Sequence, residues 1–228
     1  MTKLEFQQKF NISNEVLNDF SSFCDFLLEN NKRFNLTAIR DEEGVFLKHF
    51  ADSLFGLSHF NNAGRILEVG SGGGFPSVPL KIANRDLDLT LVEATGKKCT
   101  FLNSVKQLFG FENFSVINAR CEELAKNGYR ETFDTVTARA VASLNVLIEL
   151  CAPFLKVGGK CVFYKNLSES ELKEGENALR KTGCEICQIL PYSLDGEQAS
   201  RCLIIVKKTQ KTPDIYPREY KQILKKPL

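Results

Sequence analysis

The sequence lacks any hydrophobic run long enough to cross a membrane. Nothing in its 228 residues approaches the roughly 18 consecutive apolar side chains that a transmembrane helix needs. The N-terminal residues MTKLEFQQKFN also lack the apolar segment of a signal peptide, because charged and polar side chains interrupt them. Apolar residues make up 43% of the chain and charged residues 25%, which excludes a disordered or fibrous protein. We therefore expect a cytoplasmic globular protein with one sizeable core.

The sequence also has little net charge. Its 30 Lys and Arg residues outnumber its 28 Asp and Glu residues by only two, so binding to nucleic acid would depend on local patches. One such patch is the stretch 207–228, where seven basic and two acidic residues give a net charge of +5. Three prolines fall within residues 209–228, and we expect an irregular basic tail there.

Histidine is scarce, whereas cysteine is common. His49 and His59 are the only histidines, and we find no Ser/His/Asp or Cys/His constellation, so the sequence offers little acid–base machinery. Eight cysteines in a chain without an export signal predict reduced thiols. The only C-x-x-C pair, Cys184 and Cys187, lies in an apolar stretch without a second pair or a nearby histidine. We therefore expect no metal site.

Hydrophobic residues in the first 60 positions repeat with helical spacing. Phe20, Phe23 and Leu27 lie three and four residues apart, the period of one buried helix face, and Ser13 can cap this helix. From residue 65 the pattern changes to short apolar runs separated by segments of helix length, which indicates βαβ units. These runs cover residues 65–70, 87–93, 114–119, 133–138, 160–165, 184–190 and 201–208.

The connection between the last two runs is too short for a crossover helix. These runs therefore predict an antiparallel pair at the edge of a sheet that is otherwise parallel. The predicted fold is α/β, with a mostly parallel sheet, an antiparallel edge pair and an N-terminal helical extension. We expect three parts, namely the helical extension at 1–60, the sheet domain at 61–208 and the basic tail at 209–228.

A glycine-rich loop, residues 70–74, follows the first predicted strand and precedes a helix. Glycine permits positive φ and lets a ligand approach the backbone N–H groups closely. The dinucleotide fingerprint G-x-G-x-x-G would need glycine at position 75, where this chain has Phe75. Glu68 precedes the first glycine, Gly70, by two positions, and G-x-G-x-G with Gly72 follows. This order favours a cofactor without a pyrophosphate.

Three further strand ends carry residues that are candidates for binding a ligand. Glu93 ends the second strand, where an acidic residue hydrogen-bonds ribose hydroxyls in nucleotide-binding α/β sheets. Cys121 and Glu122 follow the third strand, where they would flank an adenine ring, although acids there also suit a helix N-terminus. Arg139 follows the fourth strand at the edge where ligands bind, and a surface ion pair is its alternative role.

These motifs occur in the order of a known family. The chain resembles the bacterial small-subunit (16S) ribosomal RNA guanine-N7 methyltransferases, also called glucose-inhibited division protein B. The resemblance covers nearly the whole chain, and GSGGGFP-x-x-PL followed by LVE is more specific than a general methyltransferase loop. It rests on NLTAI (35–39), HFADSL (49–54), EVGSGGGFPSVPL (68–80), LVEATGKKCTFL (91–102), ARCEE (119–123), TARAVASL (137–144) and YPREYKQILKKPL (216–228).

The resemblance implies a Rossmann-like class I methyltransferase that binds S-adenosylmethionine. Its substrate would be N7 of a guanine near the decoding site of small-subunit ribosomal RNA, free or within a ribosomal particle. That nitrogen carries a free lone pair, so no catalytic acid or base is assigned, and Arg139 would position cofactor or substrate. We expect a monomer without a metal or membrane partner. The cofactor residues implied are Gly70, Gly72, Phe75, Glu93, Cys121, Glu122 and Arg139.

Binding of RNA would come from basic residues near strand ends and in the tail, since no RNA-binding module is recognisable. The candidates are Arg120, Lys165, Arg201, Arg218 and Lys221. Two alternative functions remain open. One is a methyltransferase that acts on a small molecule or a protein, and the other is a nucleotide-binding oxidoreductase. Comparing the thermal shifts that S-adenosylmethionine and NAD produce would separate the oxidoreductase from both methyltransferases.

Overall fold

The computed structural model of the chain describes residues 1–61, 63–166, 168–196 and 201–228. Helices α1 (Lys3–Phe10) and α2 (Asn14–Phe34) begin the chain, and Ser13 caps α2 as its sequence predicts. Helix α3 (Glu42–Val45) continues through a π-helical stretch (Phe46–Ala51) into α4 (Asp52–Leu54). The first 60 residues are therefore largely helical.

Seven strands follow and form one sheet in the order β3-β2-β1-β4-β5-β7-β6. The first five are parallel, whereas β7 pairs antiparallel with both β5 and β6. Their bounds are β1 (Arg65–Val69), β2 (Asp88–Glu93), β3 (Phe114–Asn118), β4 (Phe133–Arg139), β5 (Leu155–Asn166), β6 (Cys184–Tyr192) and β7 (Arg201–Lys208). The predicted α/β fold with its antiparallel edge pair is confirmed. Residues 197–200, in the connection between β6 and β7, lie outside the described residues.

Helices connect the strands and cover both faces of the sheet. The crossovers contain α5 (Ser77–Ala83), α6 (Gly96–Phe109), α7 (Cys121–Leu124) and α8 (Leu144–Cys151), and α9 (Glu169–Thr182) precedes β6. Side chains alternate along β1, so that Ile66 packs on one face of the sheet and Leu67 on the other. Among the described residues we find no helix with the length and apolar character to cross a membrane.

The N-terminal helices and one face of the sheet share a hydrophobic core. Phe6, Phe20, Phe23 and Phe50 are fully buried in this core, together with Ile66 of β1. The ring of Phe23 stacks on Phe50, with centroids 5.6 Å apart. This aromatic packing holds the stretch 46–54 against the carboxyl ends of the parallel strands, where the candidate binding residues lie.

The C-terminal residues pack against the sheet domain and end in a helix that the sequence did not predict. This helix, α10 (Tyr220–Lys225), buries Ile223 completely. The Arg130 side chain donates to the backbone carbonyls of Thr212 and Tyr216 at 2.7 and 2.8 Å, which fixes the chain before α10. Apolar contacts and the donors of a half-buried arginine therefore place the tail.

Candidate cofactor and substrate site

The glycine loop lies at the carboxyl end of β1 and turns sharply away from the strand. The N–H groups of Gly70 and Ser71 both donate to the Val92 carbonyl, at 2.9 and 3.2 Å. Gly70 has φ of +70°, and a Cβ on it would lie 2.8 Å from Cγ2 of Val141, in the segment after β4. Glycine is therefore required there for both backbone conformation and space.

Glu93, at the end of β2, binds the loop from the side. Its Oε2 accepts from the Gly72 N–H at 2.9 Å, and its Oε1 accepts from the Thr95 N–H at 2.7 Å. A carboxylate has about four acceptor positions, so two remain for other donors. The side chain of Glu93 is thus fixed in orientation and still suited to a pair of ribose hydroxyls.

A cavity of about 160 Å³ lies between the ends of β1, β2 and β3, and Tyr220 of α10 contributes to its lining. Its walls are mainly apolar, and Cys121 and Glu122 contribute to them as the sequence predicts. Burial raises the pKa of the Cys121 thiol to about 12, so this side chain is neutral and behaves as an apolar surface. A flat heteroaromatic ring such as adenine suits a cavity of this kind.

Arg120 forms the outer rim of this first cavity. Its Nε donates to Oε1 of the buried Glu122 at 2.7 Å, and its guanidinium lies 4.7 Å from the centroid of the Tyr220 ring. Cation–π attraction therefore contributes to holding Tyr220 over the cavity. The contribution of the tail to the candidate cofactor site was not predicted, because nothing in the pattern of residues 209–228 indicates where they pack.

A second cavity, of about 240 Å³, lies over the glycine loop and shares Gly70 and Glu93 with the first. Phe75 forms part of its floor, with its ring stacked on the His49 imidazole at a centroid distance of 4.1 Å. The other lining residues are Leu36, Thr37, Ser71, Gly72, Gly73, Lys98, Arg139 and Ala140. The two cavities form one groove across Gly70, with a mainly apolar end and a polar end.

Arg139 closes the polar end of the groove and binds to the N-terminal helices. Its Nη2 donates to the Lys48 carbonyl at 2.6 Å and to Nδ1 of His49 at 3.1 Å, and its Nε lies 3.1 Å from Oδ2 of Asp52. The Arg139 side chain is only 13% exposed. Its predicted position at the strand edge is right, and its partners come from a part of the chain that the sequence did not assign to the site.

His49 is neutral in this arrangement. Burial, together with the positive charge of Arg139, lowers the pKa of His49 to about 3. Because Arg139 donates to Nδ1, the ring proton lies on Nε2, which donates to Oγ1 of Thr37 at 2.6 Å. His49 therefore holds the polar end of the groove together and has no proton to exchange near neutral pH.

A third cavity, of about 330 Å³, lies on the other side of Arg139 and shares Arg139 and Ala140 with the second. Its lining is charged and aromatic, with two acids, three cations and two tyrosines. It is lined by Asp52, Arg139, Ala140, Tyr164, Lys165, Asn166, Glu171, Tyr192 and Arg201. Two residues predicted to bind RNA, Lys165 and Arg201, thus come together at one cavity beside the groove.

Asp52 is the buried centre of this cavity, with its side chain 1% exposed. Its Oδ1 accepts from the Tyr192 hydroxyl at 2.8 Å and lies 3.2 Å from Nη1 of Arg201. Sequence analysis did not predict a role for Asp52, because an acid within a helical stretch ordinarily faces solvent. The HFADSL motif was the only signal for it.

The two tail residues predicted to bind RNA have different environments. Arg218 pairs with the fully buried Glu149, with Nε and Nη2 at 2.8 and 2.6 Å from its two oxygens, so this guanidinium fixes the tail in place. Lys221 is exposed on α10. Within the part of the chain that the structure describes, no cluster of three or more His, Cys, Asp or Glu side chains could hold a metal ion.

Glu68, before the loop, is completely buried under it. Neither carboxyl oxygen has a hydrogen-bond partner among the described residues, and burial raises the pKa of Glu68 to about 8. The group is therefore mainly protonated at neutral pH. A neutral carboxyl beneath the loop adds no charge to the groove above it.

The doubly wound sheet and the groove at its carboxyl edge define a class of protein, the Rossmann-like methyltransferases that use S-adenosylmethionine. Two solved structures share the fold. TYW2 of P. horikoshii in complex with MeSAdo has a TM-score of 0.56 and 12% identity over 68% of this chain and 61% of its own. The ribosomal protein L11 methylase of Lactobacillus delbrueckii subsp. bulgaricus has a TM-score of 0.55 and 15% identity over 72% and 79%.

Relatives in sequence identify the family within that class. The chain belongs to the GidB family, described as rRNA small subunit methyltransferase G, whose model matches residues 16–198. Proteins named ribosomal RNA small subunit methyltransferase G are similar over nearly the full length. The one from Caldanaerobacter subterraneus is 43% identical over 92% of this chain and 89% of its own length. The one from Exiguobacterium sibiricum is 40% identical over 97% and 95%.

Proposed function

We propose that the protein transfers a methyl group from S-adenosylmethionine to N7 of a guanine in small-subunit ribosomal RNA. The observation that carries this proposal is the pair of neighbouring sites on either side of Arg139, a cofactor groove and a charged, aromatic cavity large enough for a base. Family membership supports the same conclusion. An RNA substrate of this kind places the reaction in the cytoplasm. One chain supplies every residue of both sites, so we propose that it acts as a monomer.

Mass spectrometry of ribosomal RNA tests the proposal directly. Small-subunit RNA from cells that lack the gene should contain one guanosine fewer in the N7-methylated form, and the purified protein with S-adenosylmethionine should restore it. A protein that binds the cofactor and leaves ribosomal RNA unmodified would have one of the other substrates, a small molecule or a protein. The family to which the chain belongs favours neither a methyltransferase of small molecules or proteins nor a nucleotide-binding oxidoreductase.

The groove fits the cofactor in three respects. The first cavity offers an apolar slot for adenine beside Cys121 and Glu122, and Glu93 offers acceptors for the ribose. The backbone at Gly70 and Gly72 leaves room for the methionine part, since a Cβ on Gly72 would meet only the Gly70 carbonyl oxygen, at 3.9 Å. When bound, S-adenosylmethionine supplies an electrophilic methyl group on a sulfonium ion.

The residues of the site have no proton to move in this reaction. Guanine N7 carries a lone pair that is free at neutral pH, and the positive charge passes from sulfur to the purine. The neutral His49 and the paired Arg139 hold the walls of the groove in place. Their contribution is to align two bound reactants, an effect that can amount to about 7–11 kcal/mol of the barrier.

The single-turnover rate should not change between about pH 5.5 and 7.5, the range in which an ordinary histidine titrates. The pKa of His49 lies far below this range, at about 3, and that of Glu68 lies above it, at about 8. Rapid-quench measurements across this range provide the test. A Glu68→Gln variant should extend the constant region to about pH 8.5, because it removes the ionisation near pH 8 of the carboxyl buried beneath the loop. A sigmoid centred near pH 6.5 that disappears in His49→Gln would contradict the base-free mechanism.

RNA outside the target base should contact the exposed lysines of α10. Deleting the tail would also break the ion pair of Arg218 with Glu149, so the test replaces charges only. The triple variant Lys221→Gln, Lys225→Gln, Lys226→Gln should weaken binding of RNA at low salt. It should reduce the slope of log Kd against log salt by about 0.7 for each phosphate that the lysines no longer neutralise.

The matched control replaces three other exposed lysines with glutamine, namely Lys181, Lys207 and Lys211. They lie on or next to the antiparallel strands β6 and β7. Both triple variants change the net charge equally, so long-range attraction affects them alike. Filter-binding titrations over a salt series should show a reduced slope for the α10 variant only. Equal slopes for the two variants would mean that Lys221, Lys225 and Lys226 make no phosphate contacts of their own.

A further inference from the structure

Glu171, near the start of α9, is the acid of the third cavity that keeps an oxygen available. Its Oε1 accepts from the Leu144 N–H at 2.8 Å and forms an ion pair with Nζ of Lys165 at 2.6 Å, which fixes the carboxylate. Its Oε2 has no hydrogen-bond partner among the described residues. Both oxygens of Asp52, in contrast, are engaged by Arg139, Arg201 and Tyr192. Glu171 is therefore the carboxylate that the cavity offers to a ligand.

The chemistry of guanine requires such an acceptor. N7 and O6 lie on one side of the base, and the N1–H and the N2 amino group lie on the other. When N7 faces the groove past Arg139, the two donors face away from the groove into the third cavity. Oε2 of Glu171 has two lone pairs and can accept from both donors, whereas adenine would present an acceptor at N1 and no amino group at C2.

We propose that Glu171 recognises the N1–H and N2–H edge of the target guanine and thereby determines which base is methylated. This inference rests on the proposed function and adds the residue that selects the substrate. Lys165 has a positioning role, because its ammonium and the Leu144 N–H hold the carboxylate in place.

Glu171 also favours the transfer step itself. Methylation at N7 leaves a positive charge on the purine, which makes N1–H and the N2 amino group stronger donors. The hydrogen bonds to a fixed carboxylate therefore strengthen as the new N–CH₃ bond forms and the S–CH₃ bond breaks. An interaction that is stronger in the transition state than in the bound substrate raises the rate of the bound complex.

The test compares two substrates that differ by one amino group. Ribosomal RNA, in whichever form the wild-type protein methylates, is prepared by ligation with either guanosine or inosine at the target position. Inosine lacks only the N2 amino group. Single-turnover rates are measured for the wild type, for Glu171→Gln and for the control Glu174→Gln, which changes an exposed acid on the same helix. Circular dichroism melting establishes that the variants are folded.

We expect the wild type and Glu174→Gln to methylate guanosine at least about tenfold faster than inosine. This is the rate difference expected from the loss of one hydrogen bond to a charged group. In Glu171→Gln the guanosine rate should fall towards the inosine rate, so that their ratio approaches one. A glutamine keeps Oε1 as acceptor for the Leu144 N–H, so capping of α8 is preserved.

Two results would overturn the proposal. Equal rates on guanosine and inosine in the wild type would mean that nothing contacts the N2 amino group, whether or not the variant folds. An unchanged ratio in a folded, slower Glu171→Gln would mean that Glu171 only supports α8 and Lys165. Failure of the proposed function is distinct from both, since the wild type would then bind S-adenosylmethionine in a calorimeter and methylate neither RNA.

Discussion

Replacing Gly70 with arginine should abolish binding of S-adenosylmethionine. Gly70 is the residue that the first and second cavities share, so a side chain there divides the groove. Its Cβ would already lie 2.8 Å from Cγ2 of Val141, which lines the first cavity, so an arginine side chain displaces atoms where the two cavities meet. We expect affinity to fall by at least about 1,000-fold, equivalent to roughly 4 kcal/mol, in isothermal titration calorimetry.

The same substitution at Gly128 is the control for backbone strain. Gly128 also has positive φ, +86°, and its Cβ would have no heavy atom within 4 Å. Each variant should lose about 1–2 kcal/mol of stability from forcing a residue with a side chain into the left-handed region. Gly70→Arg should lose more than Gly128→Arg, because its Cβ also meets Val141. Only Gly70→Arg should lose the cofactor. A folded Gly70→Arg protein with unchanged affinity would show that the cofactor does not bind at this loop.

The sheet could be predicted from the sequence because its strands are short apolar runs of consistent spacing. The connection between β6 and β7 identified the antiparallel pair, since no crossover helix fits in it. Gly70, Glu93, Cys121 and Arg139 could be placed at one edge for the same reason, because the carboxyl ends of parallel strands meet there. For these residues the local sequence pattern shows that they end or follow a strand, and that alone determines where they lie in the fold.

The other half of the site could not be predicted from local patterns. Asp52 and His49 belong to helical turns whose periodicity indicates only an amphipathic surface. They reach the strand ends through the packing of Phe23 and Phe50, a tertiary contact over many residues. Tyr220 likewise lines the first cavity because the chain before it is held by Arg130. Long-range packing of this kind has no periodic signature in the sequence.

Arg139→Ala should reduce the methyl-transfer rate far more than it weakens binding of RNA. The Arg139 guanidinium separates the groove from the third cavity, 5.8 Å from the Phe75 ring, and its donors hold the 46–54 stretch against the strand ends. Without it the two reactants lose their alignment, and misplacement on the order of 1 Å costs about 100-fold in rate. Because the side chain is 13% exposed, we expect RNA affinity to change by less than about threefold.

The fold should survive this substitution, because Asp52 keeps Arg201 and the Tyr192 hydroxyl as partners. His49 supplies a second readout. The positive charge of Arg139 lowers the pKa of His49, so its removal should raise that pKa, which NMR titration of the ring protons can follow.

Arg65→Ala is the control. Arg65 begins β1, at the end of the strand away from the glycine loop, and its guanidinium lies on the Phe133 ring. This variant removes the same charge and should leave both the transfer rate and the pKa of His49 unchanged. Rates at saturating RNA and Kd values measured for the two variants separate alignment from binding. Should Arg139→Ala raise the Kd for RNA by the same factor as it lowers the rate, Arg139 would be a phosphate contact, and the alignment of cofactor and base would depend on other residues.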